Sequence, residues 1–168
     1  MVALETERLK LEPLVPAHAA ILFPDLRDPR LYEFLDSEAP RTIEILETQY
    51  RRWEARGSPD GTQSWLNWAA RFRGGGYAGW FQATVHENGR ADLAYLVFLA
   101  HQRQGYALEA CRAIVSHVCS EHDVRSIRAT IDPKNAASIA LAEKLGLTQA
   151  GGNADVIWLE RKIPERFH

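Results

Sequence analysis

The chain has 168 residues, 46% hydrophobic and 25% charged, the balance of an ordinary soluble domain that needs neither disulfides nor a structural metal. A single domain over residues 1–168 is expected, burying about two-thirds of the surface its unfolded chain would expose. Twenty basic against 22 acidic residues give a formal charge of −2, which argues against a broad basic footprint for nucleic acid. Sixteen of the basic residues are Arg, the side chain suited to bidentate anion contacts. No run approaches roughly eighteen apolar residues, and Met1–Lys10 is charged with no apolar stretch. Neither a membrane span nor a signal peptide is expected, and the setting inferred is cytoplasmic. Cys111 and Cys119 lie about two helical turns apart, roughly 12 Å, too far to bridge. With His117 they lack any CxxC or HxxxH spacing, so no metal site is expected.

In chain order, Leu4–Leu14 reads as a first strand, stopped by Pro13 and Pro16. A short helix follows over Ala17–Leu26, broken by Asp28-Pro29, and Arg30–Pro40 is irregular or a short turn. Thr42–Arg56 carries Ile43, Leu46, Tyr50 and Trp53 at helical spacing and ends in the loop Gly57–Gly61. Leu66, Trp68, Ala70 and Phe72 then alternate with Asn67, Ala69, Arg71 and Arg73, the period of a strand. Gly74–Gly76 turns the chain into a second strand, Tyr77–His86. Asn88-Gly89 predicts a two-residue type I′ hairpin with positive φ at both positions. The return strand Asp92–Leu99 is apolar on both faces from Leu93 onward, which predicts a central, buried position.

The period next becomes helical. Leu108, Cys111, Val115 and Val118 form an apolar stripe, with Glu109, Arg112 and Ser116 opposite. Ile127, Ala129 and Ile131 make another strand. Asn135–Leu145 is a helix capped by Asn135 and closed by Gly146. Val156–Lys162 is the last strand. The pattern is a mixed α/β (α+β) domain with a meander, followed by a strand–helix–strand unit that should cross over right-handedly.

The junction at Gln102-Arg103-Gln104-Gly105-Tyr106-Ala107 carries the chemistry. A strand that stops abruptly before a helix leaves several backbone N–H groups pointing into one space, reinforced by the helix dipole. Gly105 and Ala107 are small enough for a phosphate to approach, and Arg103 adds charge. The string lacks the Gly-Lys-Ser/Thr ending of a Walker loop and two of the three glycines of the dinucleotide fingerprint. A glycine before a helix also has a purely conformational reading.

These residues resemble the GNAT superfamily of acyl-CoA-dependent N-acyltransferases. Gln102–Ala107 matches its Q/R-x-x-G-x-G/A loop, which binds the pyrophosphate of coenzyme A. Asp132–Ser138 followed by Glu143-Lys144-Leu145-Gly146-Leu147 is similar to its N-x-x-S…E-K-x-G-F/L segment. Glu5–Leu14 resembles the first strand of the branch that includes ribosomal-protein-alanine N-acetyltransferases. The resemblance implies a mostly antiparallel central sheet flanked by helices, with the fourth and fifth strands splayed to admit the pantetheine arm of acetyl-CoA. It implies cofactor contacts at Val97, Phe98, Leu99, Gln102, Arg103, Gln104, Gly105, Tyr106, Ala107, Asn135 and Ser138. Asn135 is at once an N-cap and a partner for the arm. Ser138 is either a capping partner or the proton donor to the departing thiolate.

Amide formation from a thioester needs a neutral amine, a held oxyanion and a protonated leaving group. The branch's acidic position at the start of its fourth strand is occupied here by Asp92, where relatives more often carry Glu. Asp92 is therefore either the general base, acting directly or through water, or an exposed residue just past a hairpin. His86 and His101 flank the strand as weaker candidates. The oxyanion donor is expected to be a backbone N–H near Phe98. Acetyl-CoA is the expected co-substrate, a primary amine of a peptide or small molecule the expected acceptor, and direct transfer the expected route. The rival is a non-catalytic acyl-CoA sensor or interaction module of the same fold; a third is an α/β binding domain with no coenzyme A site. Strand edges leave a homodimer open.

Overall fold

The computed structural model describes residues 1–164. Its strands are β1 Leu4–Glu5, β2 Leu9–Pro13, β3 Gln63–Phe72, β4 Tyr77–His86, β5 Arg90–Val97, β6 Ser126–Ile131, β7 Thr148–Gly152 and β8 Ile157–Lys162. Its helices are α1 His18–Leu26, α2 Ile43–Glu54, α3 Tyr106–Glu121 and α4 Ala136–Lys144. The strands form one sheet in the order β1-β2-β3-β4-β5-β6-β8-β7. Every neighbouring pair is antiparallel except β5 and β6, which run parallel on either side of α3 in sequence.

Alternation along β3 sorts the core into two layers. Trp68 and Ala70 face one way, with Phe81, Ala83 and the inner side of α3 (Ile114, Val115, Val118). Ala69 faces the other way, under Leu22 and Leu26 of α1 and Leu46 and Tyr50 of α2. Helix ends follow their signals. Thr42 Oγ1 accepts from Ile45 N at 3.2 Å, Asn135 Oδ1 accepts from Ser138 N at 3.1 Å, and Gly146 closes α4 with φ +82°.

Four sequence expectations change. The first strand is split into β1 and β2, a small hairpin pairing Leu4 with Leu11 and Glu5 with Lys10. The Asn88-Gly89 turn is a three-residue loop, with Gly89 N donating to His86 O at 2.9 Å. Gly89 alone takes the left-handed conformation, at φ +78°, and Asn88 does not, so this is a type I turn followed by an αL glycine. Strand β7 was hidden because Thr-Gln-Ala-Gly-Gly is an exposed edge with no apolar alternation. Gly151 is needed there, since a Cβ would overlap the Trp158 ring of β8. Finally, β5 is central but not buried throughout, because Leu93 and Tyr95 are half-buried and Ala94 is exposed. That apolar surface is not covered by the protein's own side chains.

Two carboxylates tie sheet neighbours together. Glu160 is held below its ordinary value, near 4.5, by Lys162 at 2.6 Å and Arg128 at 2.7 Å. Burial pushes Glu12 upward, but the Tyr77 hydroxyl, His18 and Arg71 together outweigh it and lower its pKa. A depressed carboxylate contributes stability above its unfolded-state pKa and loses it as pH falls through the folded value. The melting temperature should therefore hold from pH 7 to about 5 and fall progressively below about 4.5. Circular dichroism melts across pH 7 to 3 check this, and an unchanged melting temperature at pH 3.5 would contradict it.

Candidate active site

The sheet opens between β5 and β6. Their parallel register runs from Arg90–Ser126 to Leu93–Ala129 and stops. Beyond it β5 stays with β4 as far as Val97, and β6 stays with β8 as far as Ile131. Between the parted strands lies a cavity of about 700 Å³, lined by residues 93–97 on one side and 129–132 on the other. It touches both helical layers, reaching Ser138 and Leu141 of α4 and Leu31, Phe34 and Leu35 of the α1–α2 connection. Phe98 N donates to Ala78 O at 2.8 Å. By the alternation of an antiparallel ladder, the main-chain groups of Tyr95 and Val97 then face the opening. Apart from Val97 O, which accepts from the Gln102 side chain, this strand edge has no partner strand inside the cleft and is a template for an extended amide-bearing ligand.

One end of the cavity is the turn before α3. The short helical turn Leu99–His101 ends β5, and the Gln102 side-chain amide donates to Val97 O at 2.9 Å. Arg103 and Gly105 then take positive φ, +60° and +84°. Among the described residues, the backbone N–H groups of 103 to 108 donate to no protein acceptor; the next, Glu109 N, bonds Gly105 O at 3.1 Å. Free amides at a helix N-terminus, lifted by the macrodipole, suit a diphosphate. Arg103, Gly105, Tyr106 and Ala107 all line the cavity. Gln104 does not: its side-chain amide turns to Ala100 O at 3.0 Å.

The predicted set sorts cleanly by position. Val97, Leu99, Gln102, Arg103, Gly105, Tyr106, Ala107, Asn135 and Ser138 line the one cavity. Phe98 departs from expectation: it is 2% exposed and packs in the α1–α2 layer. Its N–H is committed to Ala78, so the amides available to an oxyanion on this edge belong to Tyr95 and Val97. Tyr95 belongs to the apolar run of β5, yet its hydroxyl lies 2.9 Å from Ser138 Oγ. Burial pushes its pKa up to about 12, so the phenol keeps its proton. Either hydroxyl can donate across this contact; in the arrangement with Tyr95 as donor, the serine keeps its own O–H for a ligand in the cavity that Ser138 lines. Only the fold reveals this pair, which lies 43 residues apart in sequence.

Asp92 sits elsewhere. Its Oδ2 is 2.7 Å from His86 Nε2 and its Oδ1 is 2.9 Å from Arg90 Nε, so the carboxylate is shared by two side chains of the β4–β5 hairpin. Alternation puts it on the face of β5 that carries Ala94 and Leu96, the α1–α2 side, below the point where the strands part. It does not line the cavity. Cys111 does, but its thiol is fully buried and burial raises its pKa to about 12, so it is not a nucleophile at neutral pH. Arg71 and Arg73 are occupied at the other edge, by Glu12 and by the Glu7 carbonyl. Among the described residues no cluster of His, Cys, Asp and Glu is arranged to hold a metal ion.

Known proteins give the same architecture. Residues 8–148 match the acetyltransferase (GNAT) domain family. The protein YkkB of Bacillus subtilis (strain 168) is 29% identical over 103 residues, a match covering 51% of this chain and 60% of that protein's length. The ribosomal L7/L12 alpha-N-protein acetyltransferase RimL, solved with coenzyme A, superposes with a TM-score of 0.84 at 19% identity, over 96% of this chain and 98% of that one. A spermidine N-acetyltransferase from Vibrio cholerae, solved with CoA and spermine, gives 0.77 at 14% identity, over 92% and 95%. With a family match over residues 8–148, a range that contains the parted strands and the amide-rich turn, the chain belongs to the GNAT family of acetyltransferases.

Proposed function

We propose that the protein is an acetyl-CoA-dependent N-acetyltransferase acting on a primary amine of a peptide N-terminus or small molecule, by direct transfer in a ternary complex. The observation that carries it is the cavity joining a free-amide turn to a strand edge with no partner strand and lined from the helical layers on both sides of the sheet. The N–H groups of 103 to 108 would hold the diphosphate of acetyl-CoA, and the open edge at Tyr95 and Val97 its amide-bearing arm. Bound there, acetyl-CoA supplies an activated acyl group.

The chain's own residues supply the rest. An amine entering past Leu31 and Phe34 reaches the wedge from the face opposite α4. It must shed a proton to become nucleophilic, because its pKa of about 8 to 10 keeps it mostly charged at neutral pH. Asp92, coupled to His86, lies on that face and receives the proton through water. A Tyr95 or Val97 N–H on the open edge stabilises the oxyanion; Ser138 passes its proton to the departing sulfur as it takes one from the Tyr95 hydroxyl, which solvent resupplies.

The test is a panel of primary amines incubated with acetyl-CoA, with free thiol followed spectroscopically. Amine-dependent thiol release is expected with at least one class among peptides, amino acids, polyamines and amino sugars. Coenzyme A binding without release for any amine would favour the acyl-CoA sensor instead. Asp92→Asn in the same assay should lower turnover about tenfold or more while leaving coenzyme A affinity unchanged; full activity would remove Asp92 from the proton path.

A further inference from the structure

The opening segment Glu5–Leu14 stands out in the sequence only by resemblance, with no task attached. In the fold, its turn between β1 and β2 docks on the first turn of α3. Thr6 Oγ1 donates to Glu109 Oε1 at 2.6 Å, Arg8 N donates to the same oxygen at 2.7 Å, and Arg8 Nε donates to Glu109 Oε2 at 2.7 Å. Arg8 Nη1 donates to the Gln104 carbonyl at 2.9 Å. The guanidinium carbon lies 4.3 Å from the centre of the Tyr106 ring. A Cβ placed on Gly105 would be 3.2 Å from Arg8 Nη2. Arg73 holds the turn from behind through the Glu7 carbonyl, at 2.9 Å.

We propose that Arg8 is a positioning residue for the diphosphate cradle of the acyl-CoA site, a role that rests on the coenzyme A reading above. The first reason is geometric. Gln104 C=O and Gly105 N–H belong to one trans peptide plane and point in opposite directions. Arg8 holds the carbonyl on the β1–β2 side of the turn, so the Gly105 N–H is held facing away from that side. Gly105, at φ +84° and with no Cβ, would otherwise let this plane turn. The second reason is electrostatic. Glu109 is an acidic residue in the first turn of α3, where a carboxylate favours the helix but repels an arriving diphosphate. Arg8 cancels that charge. Burial pushes the Glu109 pKa up, but the bonds from Thr6 and Arg8 outweigh it and hold the group ionised. The ion pair thus keeps an acidic residue in the first turn of α3 without a net negative charge at the cradle.

Calorimetric titration of the whole chain with coenzyme A and with S-acetylpantetheine, which lacks the diphosphate, tests this. Arg8→Ala should weaken coenzyme A about tenfold, the scale of a lost charged hydrogen bond, and change pantetheine affinity by less than about twofold. Arg8→Lys, which keeps the charge but not the fork, should lose less. Coenzyme A affinity unchanged in Arg8→Ala, or lost in parallel with that for the pantetheine, would overturn the role of Arg8 alone. A wild-type chain that binds no coenzyme A would overturn the acyltransferase reading and this role with it.

Discussion

Replacing Ser138 with Ala should lower kcat by about 100-fold or more while leaving coenzyme A affinity nearly unchanged, the range seen when a positioned proton donor is lost. The serine is at the N-terminal end of α4, where its backbone N–H, not its hydroxyl, satisfies the Asn135 cap. Its Oγ takes no part in the cap, and the partner it has is Tyr95, at 2.9 Å. Tyr95→Phe should reproduce a smaller part of the same loss, because it removes the group that orients the serine hydroxyl. The loss should shrink with an acyl donor whose leaving thiol is more acidic, since less protonation is then needed. A Ser138→Ala enzyme that turns over at the wild-type rate with acetyl-CoA would leave the sulfur to be protonated by solvent, and Ser138 would be a helix residue only.

Gly105→Val should weaken coenzyme A binding by ten- to a hundredfold. Gly105 has φ +84°, and a β-branched residue held there costs about 1–3 kcal/mol. The added Cβ would also meet Arg8 Nη2 at 3.2 Å, tighter than ordinary contact, so the Arg8 guanidinium must shift. A relaxed turn escapes both penalties by rotating the 104–105 plane, which scatters the converging amides. Calorimetry reads the affinity and a thermal melt separates it from global unfolding. Wild-type affinity in a folded Gly105→Val protein would mean the diphosphate is gripped elsewhere.

Much of the fold was legible along the chain because its signals are local. Tyr77–His86 alternates cleanly and is a strand over those residues. Asn135 and Gly146 bracket α4 by the capping chemistry of their own side chain and backbone. The missed pieces lack such signals. Strand β7 is an edge with little to bury, so no periodicity marks it. The split into β1 and β2 depends on a turn whose Thr6 and Arg8 are held by Glu109, a hundred residues away. Helical phase puts Glu109 opposite the apolar stripe of α3, and phase alone does not show the hairpin that covers that flank.

The site divides along the same line. By itself the sequence determined the amide-rich turn, since Gly105 before a helix start needs only local backbone geometry, and it determined Asn135 and Ser138 as neighbours on one helix end. Only the tertiary structure decided that Tyr95 meets Ser138, that Asp92 is shared between His86 and Arg90, and that Phe98 turns its back on the cavity. Those outcomes depend on strand register and on where β5 parts from β6. Register is a property of paired strands, fixed by contacts that no single segment contains.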